Sequence, residues 1–355
     1  MRKIFAMLLI LSMLLCGCGA EPAPTTVPTT EATQPPTTEA PTEPTTEPAP
    51  VYTNPLSGEV IDAPYTGRVF GISISNVREA LPHVGIMDAE IVMEMFVNDS
   101  IIRCFALFTD VTKAETIGAV RSTRLMFNDL TEHYSLIQCH AGGSSQVIRN
   151  LQALGIDNLQ MDGWEADQFG ASYRDKDRRR QLGYEHSLMI NPELLVEFAA
   201  SKGIDMELER EYGLLFTEDG VPADGEKAEE INVRFKYRGT FKDTTMKYDP
   251  ELERYVYWQY DKMMADGITQ EPECFKNVVI MDADIHLNNI YYEADFLAGG
   301  TGYYACGGKL IPITWTCGGD EEPFRFFTQD GEPLAFNVGN TYMAIVPHGS
   351  PVSYQ

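Results

Sequence analysis

The sequence predicts a mixed N-terminal domain of α+β and α/β character, followed by a mostly β C-terminal domain. Three observations carry this expectation. From Val69 to Gly203, strand-like runs alternate with amphipathic helical runs. Beyond Tyr212 the runs become short, aromatic and β-branched, and turn residues separate them. From Gly19 to Pro50 there is almost no residue that a core could use. The expected organisation is a leader at 1–17, an anchored linker at 18–52, a mixed αβ domain at 53–212 and a mostly β domain at 213–355.

The leader has a basic start, Arg2-Lys3, and an apolar run from Ile4 to Leu15, then Cys16-Gly17-Cys18. That order reads as an export signal. The run is too short to cross a hydrocarbon core of roughly 30 Å as a helix. Its ending resembles the bacterial lipobox, with Gly17 before Cys18 and Leu15 three residues before it. Cys18 is therefore the expected lipidation residue, which makes the leader a lipoprotein signal. The expected location is the outer face of the bacterial cytoplasmic membrane, with the lipid on Cys18 as the contact with the bilayer.

Residues 19–50 are almost only Thr, Pro, Glu and Ala, with no aromatic and no basic residue. Such a segment buries too little apolar surface to offset the entropy of ordering, so a disordered stalk is expected. Repeated proline biases it toward an extended spacer.

In the first domain, Val69 to Ser75 reads as a strand with Ile72 and Ile74 on one face. Glu90 to Val97 and Ile101 to Phe108 read as a hairpin around Asn98-Asp99-Ser100. Met126 to Tyr134 reads as a helix and Ser135 to Cys139 as a strand. Ser144 to Leu154 has Val147, Ile148, Leu151 and Leu154 at helical spacing, with Gly155 as the stop. Asn191 and Pro192 open a last helix that Gly203 ends. In the second domain, strands are expected near 231–237, 246–248, 255–260, 278–285, 303–305, 310–316, 324–327 and 342–346. Asp330-Gly331 marks a hairpin. The two domains are expected to pack through apolar faces.

The chain has 52 acidic and 27 basic residues, a net charge of −25. Loss of the leader removes Arg2 and Lys3 and leaves the rest more acidic still. Nucleic acid and anionic lipid are poor partners for such a body, so no nucleic acid is expected. Five cysteines follow the leader, an odd number with no disulfide framework. Cys306 and Cys317 flank a β-rich run, where they are either a cross-strand pair or two free thiols.

Candidate chemistry sits in three segments. His140-Ala141-Gly142-Gly143-Ser144 follows a strand and precedes a helix, a place where backbone N–H groups favour anions. The same residues also make an ordinary turn with a serine N-cap. Arg121 and Arg124 lie near a helix start, where a cation opposes the macrodipole and needs a bound anion or a protein carboxylate beside it. Arg174 and Asp175 belong to the one basic run, Tyr173 to Arg180, and His186 follows it. A solvated loop and a fold-back onto the Arg121 loop both account for that run. Asp282, Asp284 and His286 share one strand face, which suits solvent better than a metal. Zinc spacings of Cys and His are absent, and no metal or cofactor is expected.

The order Ile74-Ser75-Asn76, Ala89 to Glu94, Arg103, Ile117 to Arg124, His140 to Ser144 and Arg174-Asp175…His186 resembles the YerB-type lipoprotein family. Gly318, Asn337 to Thr341 and Ile345-Val346-Pro347 resemble its C-terminal domain. Glu90 stands where Asp is usual, and Tyr184 to Ser187 replaces the usual Ala-Pro-His-Asn. The resemblance implies an extracytoplasmic two-domain lipoprotein and no reaction. The function expected from these features is a binding or scaffolding module of the cell envelope. Its anion pocket would be built from Arg121, Arg124, His140, Gly142, Gly143, Ser144, Arg174, Asp175 and His186. A wall polymer or an envelope protein would be its partner. An envelope hydrolase using the same pocket is the alternative, with His140 or His186 as acid–base.

Overall fold

A computed structural model describes residues 50–98 and 101–355 of the chain. The leader, Cys18 and most of the expected stalk lie outside the described residues, as does the Asp99-Ser100 tip of the expected hairpin. Tyr52–Thr53 pairs antiparallel with Val60–Ile61.

The body is mostly β, and it is built on one 12-stranded sheet. Strand Phe70–Ser75 lies between Ile101–Phe108, antiparallel, and Ile137–His140, parallel. Asn158–Gln160 extends that side in parallel. Ile91–Asn98 pairs antiparallel with Ile101–Phe108, as the sequence predicts. All six residues of Phe70–Ser75 are buried, not only the face of Ile72 and Ile74. A strand covered on both sides has no solvent face to mark with polar residues.

Residues 50–355 form one compact unit. Thr341–Pro347, from the C-terminal half, pairs parallel with Ile91–Asn98 on one side and with Asn277–Asn288 on the other. Backbone hydrogen bonds therefore join the halves. Gly300–Cys306, Lys309–Cys317 and Phe324–Thr328 continue the sheet antiparallel. A second sheet of six strands carries Glu230–Tyr237, Thr240–Asp249 and Arg254–Gln259 at its centre.

The described residues hold five α-helices, all in the first half: α1 Leu125–Tyr134, α2 Ser145–Ala153, α3 Trp164–Phe169, α4 Lys176–Leu182 and α5 Pro192–Ser201. Helix α5 starts as its sequence predicts: Asn191 accepts from the Leu194 N–H at 3.4 Å, and Pro192 occupies the first turn. The Asp330-Gly331 turn is also present, with Thr328 N–H donating to Glu332 at 2.9 Å and Gly331 at φ 84°.

Cys306 and Cys317 are free, so the cross-strand bridge is not formed. Cys306 pairs with Lys309 at the hairpin end, whereas Cys317 ends the same long strand and pairs with Phe324. The pleat separates them by the length of that strand. Asp284 and His286 are exposed and Asp282 is partly so. Asp282 Oδ1 accepts from His348 Nδ1 at 2.5 Å, and His286 faces Glu293 at 3.4 Å. Among the described residues no group of three or more His, Cys, Asp or Glu is gathered as a metal site.

Candidate functional site

The Arg121 loop is laced into the edge of the first half. Val120 N–H donates to Leu188, and Arg121 N–H donates to Ser73 at 2.8 Å. The glycine turn joins it: Ala141 N–H donates to the Arg121 carbonyl and Thr123 N–H to the Gly142 carbonyl, each at 2.9 Å. Gly142 adopts φ 64°, a conformation costly for a residue with a Cβ. The backbones of two of the three expected segments therefore meet directly.

The third segment arrives through Glu185. Arg121 donates to the Glu185 carbonyl at 2.7 Å and to its carboxylate at 2.9 Å. This hydrogen bond, and then the charge of Arg121, hold the Glu185 carboxyl below its usual range. Arg124 stands at the N-cap of α1 without a side-chain cap bond. Its guanidinium donates to Asn98 Oδ1 at 3.1 Å and to the Thr123 carbonyl at 2.7 Å, and lies over Tyr291.

A third guanidinium completes the cluster. Arg103, on strand Ile101–Phe108, is 2% exposed. Its Nη1 donates to the Ser122 carbonyl, which Arg124 Nη1 also approaches at 3.4 Å. Burial, then Arg124 and Arg121, pull Arg103 well below its usual range, and only Glu185 opposes them. A guanidinium stays charged in a protein, so this direction expresses an electrostatic cost that the surroundings do not relieve. Arg103 was not among the expected site residues. The available signal was a cation inside the apolar run Ile101-Ile102-Arg103-Cys104-Phe105.

The other expected residues do local work. His140 is buried, with Nδ1 at 3.0 Å from the Gly142 carbonyl and Nε2 at 3.3 Å from Asn158 Oδ1. Burial lowers its pKa. Ser144 caps α2 by accepting from the Val147 N–H at 3.4 Å. Asp175 caps α4 by accepting from the Arg178 N–H at 2.6 Å. Arg174 donates to the Tyr184 carbonyl at 2.9 Å and lies 4.0 Å over the Tyr184 ring. A Cβ at Gly143 would meet the side chains of Ile148 and Thr123. His186 has a lowered pKa from burial and then Arg121, and its Nδ1 has no partner among the described residues. Among the described residues no hydrogen bond joins Ser144 to His140, the nucleophile–base contact a hydrolase would need. Cavities of about 520 and 460 Å³ open elsewhere and are lined by other residues.

The fold and this site define a two-part, mostly β protein with an arginine cluster at the edge of its first half. Residues 56–205 match the N-terminal domain, and residues 231–343 the C-terminal domain, of the DUF3048 family, described as a protein of unknown function. The chain belongs to this two-part family. It is 28% identical over 315 residues to a Bacillus subtilis (strain 168) protein named "Putative lipoprotein YerB", covering 82% of this chain and 88% of that one. The crystal structure of YerB from Bacillus subtilis has the same fold, with a TM-score of 0.72 and 23% identity, over 85% of this chain and 99% of that chain. Among the described residues no helix is long and apolar enough to cross a membrane.

Proposed function

We propose that the protein is an extracytoplasmic lipoprotein, anchored through Cys18, that binds an anionic group as a binding or scaffolding module of the cell envelope. The leader pattern and the name of the Bacillus relative support the anchor. One observation carries the binding reading. Arg103 and Arg124 converge on the Ser122 carbonyl, Arg121 precedes Ser122 in the same loop, and among the described residues the one carboxylate bonded to any of the three is that of Glu185. The Glu185 side chain is 71% exposed, so it is a replaceable counter-ion. An incoming carboxylate or phosphate takes its place on Arg121 and relieves the repulsion among the three cations.

The test is calorimetric titration of the full chain with inorganic phosphate and with an acetylated peptide bearing a free C-terminal carboxylate. Binding is expected for at least one, and Arg121→Gln weakens it by about 1.5–3 kcal/mol, the scale of a charged hydrogen bond. Absence of binding to both at low salt, or equal affinity in the variant, removes the proposal.

A further inference from the structure

We infer that the ligand is a linear polyanion, which runs from the arginine cluster onto an exposed cationic strip on α4. This inference rests on the anion-binding reading and names its substrate class. The chain as a whole is strongly acidic, yet residues 173–186 contain five Lys or Arg and three Asp or Glu. The three carboxylates are already engaged. Asp175 caps α4, Asp177 pairs with Arg180 at 2.8 Å, and Glu185 pairs with Arg121. Lys176 and Arg179 have no carboxylate partner among the described residues.

The strip is pre-organised. Helix α4 buries none of its residues. Arg178 is structural, donating to the carbonyls of Ala80, Pro82 and His186, and it pins the helix to the body. Tyr184 is 56% exposed, and its ring carries two guanidiniums, Arg174 at 4.0 Å and Arg179 at 5.2 Å from the centroid. Stacking on one ring holds two cations at the surface and lowers the entropy lost when they bind an anion. Tyr184 adjoins Glu185, the residue Arg121 grips, so the strip and the cluster meet at consecutive residues.

A single small anion fills only the cluster. A chain of repeated anions fills both places, and covers Lys176 and Arg179 as well as Arg121. Each cation it covers releases counter-ions from the polymer, so affinity falls steeply with salt. The repeated anion could be phosphate or carboxylate, and the two are separated by the probes.

The full chain is titrated with inorganic phosphate, long-chain polyphosphate and poly-glutamate, each at several salt concentrations. At equal concentration of anionic groups, at least one polymer is expected to bind at least about tenfold more tightly than phosphate, with the steeper salt dependence. K176Q/R179Q, at two exposed positions, is expected to lose most of that advantage and keep its phosphate affinity. Arg121→Gln is expected to weaken phosphate and polymer together. Phosphate binding without a polymer advantage, or a polymer advantage untouched by K176Q/R179Q, overturns the inference and leaves the cluster reading intact. Polymer binding that survives Arg121→Gln unchanged overturns the continuous track. Failure of every probe to bind removes both readings.

Discussion

Asp129 illustrates how one side chain in this acidic chain sets a pH dependence. It lies in α1, and its carboxyl is pushed up to about 7, first by burial and then by Glu293, Glu132 and Asp320. The sign follows from proton binding. The folded state holds this proton more tightly than the unfolded chain, whose Asp titrates near 3.8. Asp129 therefore costs no stability below about pH 4, and its unfavourable contribution grows as pH rises from there to about 7. The slope is at most about 1.4 kcal/mol per pH unit. Asp129→Asn should remove it, so the variant gains stability relative to the parent between pH 4 and 7. Urea midpoints across that range test this, and parallel curves for the two proteins would contradict it.

At the scale of elements, the junction of the two halves is a buried polar knot. Glu94, on strand Ile91–Asn98, is fully buried and accepts from Asn76 at 2.7 Å, Thr244 at 3.0 Å, Tyr257 at 3.1 Å and Tyr342 at 2.5 Å. Lys242, on Thr240–Asp249, supplies the cation. Burial, then Glu94, holds the Tyr257 and Tyr342 phenols well above their usual range, so both remain donors. Four of the five donors come from the C-terminal half. Lys242→Met leaves a buried carboxylate without its cation and should cost about 3–5 kcal/mol. Replacing Glu94 by Leu in the same protein should recover much of that loss, because no uncompensated charge is left. Denaturant midpoints of the single and double variants decide it. A loss below about 1 kcal/mol for Lys242→Met would show that the knot does not depend on its charge.

For the whole molecule, the shared sheet predicts one unfolding event. Thr341–Pro347 sits between Ile91–Asn98 and Asn277–Asn288, so neither half closes its sheet alone. A protein cut near residue 212 would turn the strand of Glu94 into an edge and expose that carboxylate without most of its donors. Calorimetry should therefore give a single transition with equal van't Hoff and calorimetric enthalpies for the body. Two separable transitions would restore the picture of independent halves.

The local pattern of residues was enough for much of the secondary structure. The run Ile91-Val92-Met93 beside Ile101-Ile102 specified a hairpin, Asn191-Pro192 specified a helix start, and Asp330-Gly331 specified a turn. Each depends on neighbours a few residues apart, which a sequence displays directly. The expected lipoprotein leader is a reading of the first eighteen residues alone, which lie outside the described residues. Tertiary structure decided the rest. The parallel pairing of 341–347 with 91–98 joins segments about 250 residues apart, and no local pattern encodes that register. It also decided which polar residues are structural. His140, Ser144 and Asp175 cap turns and helices, whereas Arg103, hidden in an apolar strand, joins Arg121 and Arg124. A side chain's role depends on the partners the fold brings to it. For a cation, the decisive fact is whether a carboxylate is among them, and that is a property of three-dimensional packing.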